Sequence, residues 1–178
     1  MANVSPDIVA PRANWALWLL IACRLIVGAL FVLAGITKIV APGSFSAALV
    51  AYGILPISLV YWVSLLFPWV EVTIGSLLII GLFTRFAAWT AIGLLLMFCV
   101  LIAQALLRGL SLEDCGCFGG ITQAVPALTI FLGSATLGWH DVVRDLIYVA
   151  IALPVALAGV TPLSIDAWRD ARVDDDGL

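Results

Sequence analysis

The stretch WALWLLIACRLIVGALFVLAGITKIV, Trp15–Val40, carries only two charges, Arg24 and Lys38, in an otherwise apolar run. About 20 such residues are enough to cross ~30 Å of hydrocarbon as a helix. Trp15 and Trp18 stand at its start, where aromatic side chains anchor a span at the lipid–water interface. Ala41, Pro42 and Gly43 stop it. Three further stretches read the same way: 57–82, 86–107 and 142–160. Phe83, Thr84 and Arg85 form a tight turn between the second and third.

Composition agrees. The chain has 178 residues, 64% hydrophobic and 11% charged, with mean hydropathy +1.20 and a net charge of −3. Charged residues make up about a quarter of an ordinary globular protein. That deficit implies lipid as the solvent. No basic cluster exists to hold nucleic acid. Residues 1–14 contain Pro6, Asp7, Pro11 and Arg12 and lack the pattern of a cleaved signal peptide.

The expected fold is therefore all-α: an integral membrane four-helix bundle with a short interfacial helix after the first span. Residues 44–53, between Pro42 and Pro56, supply that helix, being too short to cross and mildly amphipathic. Residues 1–14 form an N-terminal tail, 15–160 the membrane domain, 109–141 its one long polar-bounded loop, and 161–178 an acidic tail expected to be disordered. Within the loop, Ala127–Leu137 is apolar but short, as in a re-entrant or interfacial piece. Four spans put both termini on one side. Arg12, Arg85, Arg169 and Arg172 on that side against Lys38, Arg108 and Arg144 on the other favour cytoplasmic termini.

Two intramembrane charges demand partners, since an isolated one costs at least ~2.5–3.5 kcal/mol. Arg24 lies ~14 Å in from Trp15, and Glu71 ~17 Å in from Leu82. Their similar depths predict a buried Arg24–Glu71 ion pair. Arg24, Gly28, Phe31, Gly35 and Lys38 share one helical face, and Glu71, Gly75 and Leu78 form another. Glycines permit close approach, so these two faces are expected to meet. The charges serve either as a clasp fixing helix register or as a polar pocket for a quinone headgroup or a proton path.

The sharpest chemical feature is Cys115-Gly116-Cys117. A disulfide needs Cα atoms about 4.4–6.8 Å apart, which residues two apart reach only through a tight bend that Gly116 permits. So small a ring is strained, and strained disulfides are the labile, exchanging ones. Three readings stand: redox exchange with a partner dithiol, a permanent structural bond, or a soft-metal site with His140 as third ligand. A structural bond would gain little from so short a loop, and the spacing is wrong for a zinc knuckle. Cys23 and Cys99, inside apolar stretches, read as small packing residues; Cys99 would relay electrons only if Cys117 folded inward.

These residues together resemble the DoxX-like membrane proteins, and among them the MauE branch associated with methylamine utilisation. The likeness runs from Arg24 to Pro154. It is carried by Arg24, Gly28, Phe31, Gly35 and Lys38, by Phe45, Tyr52 and Pro56, and by Pro68, Glu71, Gly75, Gly81 and Arg85. The most specific segment is Asp114-Cys115-Gly116-Cys117-Phe118-Gly119; Gly138, Trp139, Arg144 and Asp145 complete it. Ile121–Gly138 is longer and more apolar than the family pattern. The resemblance implies a four-helix bundle in the bacterial inner membrane, its cysteine loop periplasmic. It implies a membrane thiol–disulfide oxidoreductase, or an accessory to one, serving an extracytoplasmic thioredoxin-like partner. Cys115 and Cys117 would be the redox pair, Arg24, Lys38 and Glu71 the intramembrane polar set, and quinone a candidate electron acceptor. The alternatives are a non-catalytic subunit that anchors or assembles a partner complex, and a soft-metal transporter or sensor.

Overall fold

The computed structural model describes residues 14–110, 137–158, 164–166 and 168. Among them are five helices: α1 Asn14–Val40, α2 Pro42–Tyr52, α3 Ile57–Ile80, α4 Thr84–Leu107 and α5 Trp139–Ala158. Three of these, α1, α3 and α4, are long and apolar enough to cross a membrane. The chain is thus an all-α, multi-pass membrane protein.

The burial pattern is that of a protein dissolved in lipid. Ile57, Leu107, Val100 and Phe86 are each two-thirds or more exposed, while Arg24, Lys38, Glu71, Asp141, Arg144 and Asp145 are buried. Water would reverse that order, because exposed apolar area is unfavourable there and buried charge still more so.

Helix boundaries follow local chemistry. Gly81 ends α3 in the left-handed region (φ 75°), which only glycine enters without steric cost. The N–H groups of Gly81 and Leu82 both bond the Leu77 carbonyl, and α4 starts at Thr84, two residues earlier than the sequence implies. Pro42 opens α2 at the first-turn position that tolerates it, and Phe45, Ala48, Leu49 and Tyr52 bury its inner face. The last helix begins at Trp139 rather than Val142.

The main pairings are α1 with α3 and α4 with α5, closed by α1 against α5 and α3 against α4. The predicted faces do meet. A Cβ on Gly28 would lie 2.9 Å from the Gly75 carbonyl oxygen, one on Gly35 2.7 Å from the Pro68 carbonyl oxygen, and one on Gly75 2.6 Å from the Gly28 carbonyl oxygen. Here the two backbones touch, and van der Waals contact replaces the hydrophobic drive that lipid removes. Val27, Phe31, Ile74 and Leu78 join Ala87, Ala91, Ile92 and Leu95 of α4 and Ala152, Val155 and Ala156 of α5 in the central core.

The tail is in part ordered. Asp166 accepts hydrogen bonds from the N–H groups of Phe83 (3.0 Å) and Thr84 (2.8 Å), and its own N–H bonds the Gly81 carbonyl at 3.2 Å. A carboxylate at a helix N-terminus satisfies otherwise unmet donors and opposes the dipole. This contact departs from a tail disordered throughout. Tail residues 1–13 and the apolar segment Ala127–Leu137, save Leu137 itself, lie outside the described residues.

Gly75→Ala is expected to lower unfolding stability in detergent by about 1–3 kcal/mol, because the added methyl overpacks a backbone contact. Gly93→Ala meets nothing within 4 Å and should raise it by up to ~1 kcal/mol through helix propensity. Thermal or denaturant unfolding of both variants checks the contrast. Asp166→Ala should cost ~0.5–2 kcal/mol, the usual worth of an N-terminal cap.

Candidate functional site

Glu71 pairs with Lys38, not with Arg24. Lys38 Nζ donates to both carboxylate oxygens of Glu71 at 2.8 Å, and neither side chain is more than 2% exposed. The ammonium also lies 5.3 Å from the Phe45 ring centre and 5.4 Å from that of Phe98, within the range of attraction to an aromatic face. Phe67 stands between these rings, 5.9 Å from Phe45 and 5.6 Å from Phe98, tilted against one and edge-on to the other. Among the described residues, one carboxylate and two aromatic faces stand where the ammonium gave up water.

The register of α1 on α3 explains the correction. Gly35 faces Val72, the neighbour of Glu71, and Gly28 faces Gly75 and Ile79. Arg24 is eleven residues from Gly35, so ~16 Å along the helix from the level of Glu71. It instead lies at the Gly81 turn, where Asp166 acts on its charge and its guanidinium occupies the space a Gly81 side chain would need. Equal depths from Trp15 and Leu82 misled because α1 extends well past the end of α3. Lys38, two residues from the helix end, qualifies because its side chain leans back toward the N-terminus and into the interior.

A second cluster, on α5, supplies charges that sequence reading left out of the site. Arg144 donates to Asp141 at 2.8 Å and to Asp145 Oδ1 at 3.0 and 3.2 Å. Asp141 also accepts from the Gly138 N–H at 3.0 Å, while its own N–H bonds the Gly138 carbonyl. This is the acidic half of a capping box, with the acid three residues into the helix. His140, exposed, places Nε2 3.2 Å from the second Asp141 oxygen. The sequence signal was available: Asp141, Arg144, Asp145, Tyr148, Ala152 and Val155 recur at helical spacing on one face.

The two clusters share a cavity. It is lined by Lys38 and Glu71, by Asp145 and Tyr148, and by apolar residues of α1 and α4 such as Phe31 and Leu95. Its volume is about 40 Å³, room for about two or three waters. Sites for drug-sized ligands run to about 300–1,000 Å³, so this space suits water rather than a large ring. A larger groove of about 670 Å³ opens outward between α1, α2 and α3, with Lys38 among its lining residues. Its Ser46 and Ser64 hydroxyls are already bonded to the carbonyls of Gly43 and Tyr61. Lys38 and Glu71 line one cavity, and Arg24 is not among its lining residues.

Cys115 and Cys117 lie outside the described residues. The residues flanking their segment are described: Leu110 and Leu137 both pack on the cluster of Ala48, Tyr52 and Ala105. Arg108 donates to the Tyr52 carbonyl at 2.9 Å and fastens the end of α4 to α2 there. Cys99 is buried, its Sγ 3.9 Å from the Val142 carbonyl oxygen, and Cys23 is half-buried; both are free thiols.

Apolar crossing helices with charges neutralised inside define a polytopic membrane protein. The chain belongs to the MauE family: the profile described as "Methylamine utilisation protein MauE" matches residues 16–159. The methylamine utilization protein MauE of Paracoccus denitrificans is 30% identical over 161 residues, covering 89% of this chain and 77% of that protein. Neither comparison names the wider DoxX-like group. No solved structure matches the chain.

Lys38→Met strands a buried carboxylate and is expected to cost ~3–5 kcal/mol, whereas Lys38→Met with Glu71→Leu should recover most of that loss. Unfolding of the two single variants and the double variant, combined as a mutant cycle, measures the coupling. A double variant as unstable as the sum of the singles would contradict the pairing.

Proposed function

We propose that this chain is a membrane accessory of methylamine utilisation whose Cys115–Cys117 pair exchanges a disulfide with an extracytoplasmic thioredoxin-like protein. The pathway follows from the family. The chemistry rests on the Asp-Cys-Gly-Cys-Phe-Gly segment, whose two sulfurs are separated by one glycine. The observation that supports the reading is the position of the flanks of that segment: Leu110 and Leu137 pack on the same Ala48–Tyr52–Ala105 cluster. Both flanks, Leu110 and Leu137, sit at the α2 end of the molecule, which supports a partner meeting the protein on that side.

In the exchange, a thiolate of the partner attacks one sulfur of the Cys115–Cys117 disulfide and forms a mixed disulfide. The other sulfur leaves as a thiolate. The partner's second thiolate then resolves the bond, leaving the partner oxidised and Cys115 and Cys117 reduced.

In this reading α5 is the fourth crossing, completing a four-helix bundle with α2 at the interface. Val143, Leu146, Ile147, Leu153 and Leu157 are exposed on its outer side, while its charges are turned inward. The Arg and Lys distribution favours cytoplasmic termini and a periplasmic cysteine segment in a bacterial inner membrane, the side where disulfides persist.

Redox titration of the purified protein with a thiol-specific label tests the chemistry. Exchange predicts a pair that cycles above about −200 mV, in the range of oxidising exchange proteins, whereas a structural bond would stay oxidised below about −300 mV. Cys115→Ser or Cys117→Ser should trap a mixed disulfide with the partner. No trapped species from either variant, with a bond inert to mild reductants, would leave the non-catalytic anchoring role.

A further inference from the structure

We propose that the cavity between Lys38, Glu71, Asp145 and Tyr148 is a proton-binding site, with Asp145 as the acceptor and water as the second ligand. The first support is a count of charges. Among the described residues, Glu71, Asp141 and Asp145 form one group with Lys38 and Arg144, three carboxylates against two fixed cations, with the ionisable His140 imidazole against Asp141 at its exposed end. Among the described residues, the charges acting on Asp145 are Arg144, Asp141 and Lys38. Among the other elements facing it, α4 offers only the neutral thiol of Cys99, and α5 adds the Tyr148 phenol. Residues 111–136 contain Glu113 and Asp114 but no Lys, Arg or His, so they bring no missing cation. A net negative charge buried in a low-dielectric interior is unfavourable, and one bound proton removes it.

The second support is geometry, which selects the acceptor. Both Glu71 oxygens are taken by the Lys38 ammonium. Asp141 Oδ1 is taken by Arg144, and Oδ2 accepts from Gly138 and lies beside His140. Arg144 engages Asp145 only through Oδ1, and Asp145 lines a cavity with room for about two or three waters. Asp145 Oδ2 is the carboxylate oxygen left to that water. His140 marks the aqueous end of the cluster, its side chain 56% exposed and one contact from Asp141.

Uptake moves one proton from the aqueous side near His140, through water, to Asp145 Oδ2. The carboxylate becomes a carboxylic acid, Arg144 keeps its bonds to Oδ1, and the cluster becomes neutral. Release reverses this with no other reactant.

Infrared spectroscopy of the full-length protein in lipid nanodiscs tests the proposal. Near neutral pH, water-exposed aspartates are ionised. One protonated-carboxyl band is expected there, shifted by aspartate-specific carbon-13 labelling and reversibly lost on raising the pH. Asp145→Asn should abolish it, while His140→Gln should leave it in place. A band absent from the wild type, one that follows a glutamate label, or one that survives Asp145→Asn overturns the assignment. The labelling result on the wild type decides the matter even where Asp145→Asn does not fold.

Discussion

Burying an ammonium ion beside a carboxylate inside lipid is the constraint from which the rest of this architecture follows. Lys38 and Glu71 are nearly inaccessible, so each depends on the other and on the rings of Phe45 and Phe98. Either charge alone would destabilise the fold by several kcal/mol. The pair survives only if α1 and α3 keep one register. That register is fixed a few turns away, where Gly28 and Gly75 bring the two backbones into contact. Glycine packing and ion pairing are thus one device: the first sets the sliding coordinate and the second penalises any slip along it. The α2 helix belongs to the same device, since Phe45 reaches the ammonium from there and packs with Leu49 against Val60 of α3.

Hydropathy made the long helices legible because the bilayer imposes a length and excludes charge. The facing stripes were legible as well, since Gly28, Gly35 and Lys38 on one helix and Glu71 and Gly75 on the other repeat at helical spacing. The pairing within those stripes was not. Depth measured from helix ends assumes that antiparallel helices end flush, and α1 does not; an error of a few turns exchanged Lys38 for Arg24. The role of Asp166 was illegible for another reason. It lies more than eighty residues along the chain from the α4 N-terminus it caps, and an isolated acid in an acidic tail carries no local signal for such a contact.

The polar residues also differ in what they leave free. At the Gly81 end, Asp166 fills its oxygens with backbone donors and stands beside Arg24, a closed arrangement suited to holding helices together. At the α2 end, Arg144 bridges two aspartates and leads from exposed His140 toward the Lys38–Glu71 pair. The cavity lies on this second route, and the anchors of the cysteine segment lie at the same end. The molecule is therefore asymmetric along its axis, with a closed neutralising contact at one end and an exposed histidine beside a buried ionisable cluster at the other.

If the last helix is the proposed fourth crossing, it shows what average hydropathy leaves out. Its charges lower the mean over any window, and by composition only three helices stand out as crossings. Yet a window average does not distinguish a charge facing lipid from one facing a neighbour. Asp141, Arg144 and Asp145 are buried and mutually bonded, while Val143, Leu146, Ile147 and Leu157 form the outer face. In a fourth crossing, lipid would meet the outer face, and the free energy of the charges would be settled inside by their partners. For such a helix the relevant quantity is the hydropathy of the exposed face after the buried ion pairs are removed. On its inner side, Asp145 and Tyr148 of α5 line the same small cavity as Lys38 and Glu71.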